Sequence, residues 1–189
     1  MALSATIYQF DVALAHVDRG VYEDLSFKVA MHPSESMEYM LSRMLAYCLE
    51  YEEGLAFGKG IGQDDEPPLW AKDYTGVVTL WVEVGLPDAD RLHRASKASP
   101  SVALYTHRDL PILRHNLVGR LIHRAEEIRL YALDARILRR LAEKIDRRTR
   151  FELSVTEGQA FLTIGGETLE FELVAQPLLP KNSLLSSGP

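Results

Sequence analysis

The segment at residues 75–85 limits the fold more than any other part of the chain. Val78, Leu80, Val82 and Val84 fall on one face of an extended strand, and Val77, Thr79 and Trp81 fall on the other. A strand that is apolar on both faces must be covered on both. This predicts an interior place in a sheet with further layers on each side. Leu86-Pro87-Asp88 then opens a short helix to about Ala98, and residues 102–106 read as another strand. Strand, short helix and strand in that order predict a crossover unit with parallel pairing.

The rest of the chain builds around this unit. Tyr8, Phe10, Val12 and Leu14 share one face, and so do Val21, Leu25, Phe27, Val29 and Met31. With Asp18-Arg19-Gly20 as the turn between them, they predict a hairpin. Pro33-Ser34 opens a helix in which Ser34 is the expected cap and Glu35 is expected to face solvent. Its apolar stripe is Met37, Leu41, Met44, Leu45 and Cys48. Residues 55–61 read as a short strand before the acidic loop at 64–68. Residues 109–119 are weakly helical, and 128–132 form a strand.

Asp134 caps a helix expected to run to Arg150. Its stripe of Ile137, Leu138, Leu141, Ala142 and Ile145 is ringed by Arg136, Arg139, Arg140, Lys144, Arg147 and Arg148. Strands at 151–155, 160–164 and 168–175 follow, with hairpin turns at Glu157-Gly158 and Gly165-Gly166. The expectation is one α+β domain over residues 1–175, with a mixed central sheet flanked by helices. A second, antiparallel sheet is expected from the N- and C-terminal strands, and residues 176–189 read as a loose tail.

Composition removes several classes of function. The chain has 189 residues, 47% of them hydrophobic, and one cysteine. That suits a single domain and excludes an internal disulfide framework or a cysteine-rich zinc site. There is no apolar run of about 18 residues, and the first residues lack a basic flank leading into an apolar segment. The expectation is therefore a cytoplasmic protein without a membrane span. A net charge of -6 argues against a surface basic all over, as a general nucleic-acid coat would need. The charge is uneven, however: residues 31–90 hold 12 Asp/Glu against three Lys/Arg, and residues 91–150 hold 15 Lys/Arg against six Asp/Glu. Phosphate-cradling glycine loops, dinucleotide fingerprints and Gly-x-Ser-x-Gly elbows are all absent from the sequence. The six histidines are dispersed, and Cys48 falls on an apolar stripe, where a thiol is inert.

Glu83 stands apart. It sits at the end of the doubly apolar strand, on the face of Trp81, where a carboxylate is costly unless paired, hydrated or bound to metal. Asp73, ten positions upstream, and Glu38, at the edge of the first helix's stripe, are the carboxylates that would complete an oxygen-rich Mg²⁺ site with it. Arg91, Arg94 and Lys97 on the next helix supply positive charge of the kind a phosphodiester transition state needs.

Over nearly its whole length the sequence resembles the bacterial YaeQ family. The residues that carry the resemblance are the opening MALSATIY, His32-Pro33-Ser34-Glu35 with Glu38 and Arg43, Asp65-Glu66-Pro67 with Leu69-Trp70, and Leu80-Trp81-Val82-Glu83-Val84-Gly85-Leu86-Pro87-Asp88 with Arg91. The resemblance implies a restriction-endonuclease-like fold, a variant of the PD-(D/E)XK nuclease core. In that core a helix carboxylate, an Asp and a strand-borne Glu-x-Lys build a site for Mg²⁺ or Mn²⁺, with the carboxylates as its ligands. Carried over, the catalytic set is Glu38, Asp73 and Glu83 as metal ligands, with Asp65 the alternative to Asp73. Arg94, or Lys97 second, stands in for the lysine, because position 85 is Gly. Two functions follow: a metal-dependent phosphodiesterase acting on DNA or RNA, or a non-catalytic nucleic-acid- or protein-binding regulatory module on a degenerate nuclease fold. The carboxylates favour the first and the missing lysine favours the second.

Overall fold

The computed structural model describes residues 4–59 and 66–179. Its doubly apolar segment forms β5 (Val78–Val84), an interior strand of a six-stranded sheet. β5 pairs in parallel with β6 (Ser101–Thr106), and β6 pairs in parallel with β7 (Arg129–Ala132). On its other side β5 is antiparallel to β4 (Leu69–Lys72), followed by β3 (Ala56–Phe57); the short β11 (Gln176–Pro177) closes the far edge against β7. The crossover from β5 to β6 runs through α2 (Ala89–Ala98), as the pattern predicts.

The second sheet has five strands in the order β10-β9-β8-β1-β2. β1 (Thr6–His16) and β2 (Val21–Met31) form the expected hairpin, and β8 (Arg148–Thr156), β9 (Gln159–Ile164) and β10 (Glu167–Glu172) form a meander. The two halves join through β1 and β8, which pair in parallel from Gln9 opposite Arg148 to His16 opposite Val155. This sheet is therefore mixed, where an antiparallel one was expected. Alternation along each strand is blind to the direction of its neighbour.

α1 (Met37–Leu49) lies between the two sheets, touching β2 on one side and β5 and β6 on the other. It is buried around most of its circumference, and Met40, Leu41 and Met44 are fully enclosed. Each such side chain contributes about 1.5–3 kcal/mol of hydrophobic stabilisation. α4 (Ala135–Ala142) packs beside α1 and against β10. Trp81, on the opposite face of β5 from Leu80 and Val82, joins a second core with α2 and α3 (Leu110–Leu117). Val82 and Trp81 thus bury in different cores, which explains the double apolar face of β5. Among the described residues no helix is long and apolar enough to cross a membrane.

Several boundaries differ from expectation. α4 stops at Ala142 instead of reaching Arg150, so Arg148 and Arg150 lie in β8 and the arginines do not ring one helix. The tail is not loose at its start: Gln176 and Pro177 pair with β7, and Leu178 and Leu179 are buried. Ser36, not Ser34, caps α1 by accepting the Tyr39 amide. Glu35 is correspondingly drawn inward. Its carboxylate accepts the His32 amide and a 2.6 Å bond from Arg43, two turns along α1, in a pair whose side chains are 2% and 5% exposed.

Candidate functional site

Glu83 reaches the C-terminal end of β5 on the side of α2 and is 2% exposed. One oxygen, Oε1, accepts Trp81 Nε1 at 2.7 Å and Arg91 Nε at 2.7 Å. Trp81 and Glu83 are two apart on one strand, so the pleat itself sets the first bond. Asp88 sets the second by capping α2 and accepting the Arg91 amide, which fixes where the arginine leaves the first turn. Arg91 Nη2 reaches back to the Glu66 carbonyl at 2.8 Å, tying the loop before β4 to the site. Burial pushes the Glu83 carboxyl above the usual range, while Arg91, Trp81 and the charge of Arg94 pull it down.

Gly85 completes the strand end. Its amide donates to the Tyr105 carbonyl at 2.9 Å, and its φ of +91° is a conformation that an L side chain adopts only under strain. Any side chain at position 85 would therefore meet a strained backbone. Tyr39 of α1 packs its ring against Gly85, so that a Cβ there would sit 3.4 Å from Tyr39 Cε2. Burial raises the Tyr39 hydroxyl above its ordinary value, and the charges of Arg43, Glu35, Glu83 and Arg91 all reach it.

The structure does not bring Asp73 to Glu83. Asp73 lies in the turn between β4 and β5, its amide bonded to the Val77 carbonyl, and so at the opposite end of β5 from Glu83. Six residues of extended chain separate Val77 from Glu83, about 20 Å, an order of magnitude more than the ~2 Å reach of a Mg²⁺ ligand. Asp73 Oδ1 instead accepts the Thr75 amide and hydroxyl and the Val77 amide, and these bonds hold its carboxyl below the usual range. Asp65 lies outside the described residues.

Glu38 faces the end of β6, where its charge reaches His107. There Ser42 gives its one hydroxyl proton to the Glu38 carbonyl and so accepts from His107 Nδ1 at 3.1 Å. His107 Nε2 is left as a buried acceptor without a partner among the described residues. Arg94 is exposed but close enough for its charge to reach Glu83; Lys97, also exposed, is one turn further along α2. Among the described residues no three His, Cys, Asp or Glu side chains cluster so as to hold a metal ion. The described donors thus do not fit a Mg²⁺ or Mn²⁺ centre at Glu83, whose near oxygen already serves two N–H donors.

The sequence model of the YaeQ protein family matches residues 1–173. The chain belongs to the YaeQ family. It is 34% identical to the YaeQ protein of Escherichia coli (strain K12), described as uncharacterised, over 178 residues that cover 93% of this chain and 97% of that one. YaeQ of Salmonella typhi, described in the same words, matches with the same identity and coverage. The crystal structure of YaeQ from Pseudomonas syringae superposes with a TM-score of 0.82 at 34% identity, covering 90% of this chain and 95% of that one. That of YaeQ from Xanthomonas axonopodis pv. citri also gives 0.82, at 29% identity, covering 94% and 100%.

In this YaeQ-family chain, Arg91, Trp81 and Tyr39 are the site residues that sequence reasoning left out as partners of Glu83. Arg91 carried a usable signal. An arginine in the first turn of a helix opposes the macrodipole, so a carboxylate close by is expected. Trp81 carried one too, since an indole buried in a core needs an acceptor for its N–H. Tyr39 carried none.

Proposed function

We propose that this protein is a nucleic-acid-binding module built on a PD-(D/E)XK-type core whose metal position has been taken over by an internal ion pair. The order α1, β3, β4, β5, α2, β6 supports that type of core, because a helix, a run of antiparallel strands and a helical crossover to a parallel strand are its ordered parts. The Glu83–Arg91 bond carries the functional reading. A carboxylate held by a fixed arginine and an indole N–H offers no open oxygen pair to a metal, and Gly85 offers no proton carrier.

What remains available is positive charge. Arg94 and Lys97 stand exposed on α2, and the segment bearing Arg120, His123 and Arg124 packs on the same helix. Arg124 donates to the Ser96 and Ser99 carbonyls, and His123 meets the His93 ring edge-on. A basic face of this size, on a chain of net charge -6, attracts phosphates locally without making the whole surface sticky. Contact with about three phosphates gives a log–log salt slope near -2.7 on duplex DNA.

Fluorescence anisotropy with labelled single- and double-stranded DNA and RNA 20-mers tests this. Wild-type protein is expected to bind with that slope, and Arg94→Gln/Lys97→Glu to lose most of the affinity while melting within a few degrees of wild type. No binding to any of the four at low salt, or binding untouched by these substitutions, refutes the reading. Calorimetric titration of Mn²⁺ decides against the hydrolase: saturable binding to wild type that Glu83→Gln abolishes would restore the phosphodiesterase.

A further inference from the structure

The C-terminal end of α1, about 16 Å along the helix from Tyr39, closes a second polar site. A cavity of about 300 Å³ opens there between the two sheets, with His16, Arg19, Glu50, Tyr105, Arg129 and Tyr131 in its walls. The acceptors in those walls are already taken. Glu50, 3% exposed, receives the Tyr105 hydroxyl and Arg129 Nη1 on Oε1, both at 2.8 Å, and Arg129 Nη2 on Oε2 at 2.9 Å. Asp18 receives the Glu157 and Gly158 amides, one on each oxygen. The last carbonyls of α1 are met as well: Ala46 and Cys48 by the Glu50 amide, and Leu49 by Arg19 Nη1 at 2.6 Å.

The donors are not used up. Among the described residues Arg19 makes only that one bond, so most of its N–H groups face solvent. His16, 6% exposed, lines the cavity with Nδ1 buried and without a partner among the described residues. A buried ring nitrogen left unpaired weakens the fold until a ligand supplies the missing bond. The Tyr105 and Tyr131 rings, stacked 4.8 Å apart at 22°, also line the cavity.

We propose that this cavity binds a small organic anion, a carboxylate or phosphate ester of about ten non-hydrogen atoms, since its volume is that of about ten waters. The oxyanion sits on Arg19 and His16, and the body of the ligand lies against the tyrosine pair. The site is independent of the basic face on α2 and of the nucleic-acid reading. It also couples binding to a proton. Burial and the Arg19 charge hold His16 below its ordinary pKa, against the weaker pull of Asp18 and Glu50. Arg129, Tyr105 and Tyr131 are the remaining titratable groups in the walls. A bound anion reverses the balance and draws a proton onto His16, so binding tightens as pH falls.

Calorimetry with succinate, benzoate and phenyl phosphate on the full chain tests the site and separates the two anion types. At least one is expected to bind saturably with Kd below about 1 mM, more tightly at pH 6 than at pH 8. Arg19→Ala removes the bond to the Leu49 carbonyl and is expected to lower the ligand-free melting temperature by only a few degrees, while weakening binding about tenfold or more. His16→Gln is expected to flatten the pH dependence. Absence of saturable binding by all three to about 10 mM at pH 6 overturns the proposal. So does binding that ignores pH or survives Arg19→Ala intact.

Discussion

Replacing Arg91 by methionine removes the cation and keeps much of the apolar stem, so it isolates the charge. Glu83, with a side chain 2% exposed, then keeps only the Trp81 N–H. Removing one member of a buried pair costs about 3–5 kcal/mol, and because the Arg91 side chain is 21% exposed the lower end applies, about 3 kcal/mol. For a chain of this size that is a fall in melting temperature of about 6–12 °C. Glu83→Gln/Arg91→Met leaves no buried charge while the new amide oxygen still accepts from Trp81. It is expected to cost only about 1 kcal/mol, about 2 kcal/mol less than Arg91→Met alone, so that the double-mutant cycle shows a coupling of at least about 2 kcal/mol.

The pH dependence has a definite sign. Burial raises the Glu83 carboxyl in the folded state, so its protonation favours folding at acid pH, and that contribution is lost as pH rises through the folded value. Losing Arg91 raises the carboxyl further. The gap between Arg91→Met and wild type is therefore wider at pH 7.5 than at pH 5. Urea or thermal unfolding at both pH values measures all four proteins. If the single and double variants are equally destabilised, and the gap ignores pH, Arg91 acts through packing and the charge argument is refuted.

Other perturbations test separate parts of the structure. Gly85→Lys, which rebuilds the nuclease Glu-x-Lys, is expected to lose about 1–3 kcal/mol in urea unfolding because of the +91° backbone, and to gain no Mn²⁺-dependent cleavage. Arg43→Met leaves Glu35 buried beside the first turn of α1 and is expected to cost about 3–5 kcal/mol; a melting temperature within 2 °C of wild type would contradict it. Cys48 is fully buried with its thiol pushed far above the ordinary range, so iodoacetamide at pH 8 should label it only in denaturant, as read by mass spectrometry. Asp73→Ala is expected to speed hydrogen exchange at the Val77 amide and leave oligonucleotide binding unchanged, since it caps a turn remote from Glu83.

The elements were legible where one period dominated. β5 announced its two-sided burial, and Asp88, Asp109 and Asp134 cap the helices that follow them. Direction was not legible. The parallel β1–β8 pair joins segments whose alternation is satisfied by either orientation, and α4 and β8 meet in a stretch where arginines fit a helix face as well as a strand edge. At the site, Glu83 stood out because a charge on an apolar strand is costly. Asp73 is near Glu83 in sequence but not in space, because a hairpin returns the chain without bringing its turn to its open end. Glu35 misled in the opposite way: helical spacing placed it in solvent, but it precedes the cap, where that spacing does not apply.

The parallel seam between β1 and β8 also sets the order in which this chain can be made. Gln9 leaves the ribosome about 140 residues before Arg148, its partner across the seam. At 5–20 residues per second that interval is about 7–28 s. Through it β1 lacks its partner on the inner edge, and Phe10, Val12 and Leu14 lack the cover of the C-terminal strands. Closing so long a loop is slow, and an unpaired apolar strand edge is a template for other chains. The first thirty residues are thus the segment most in need of a chaperone during synthesis, and the last hairpins are what release it.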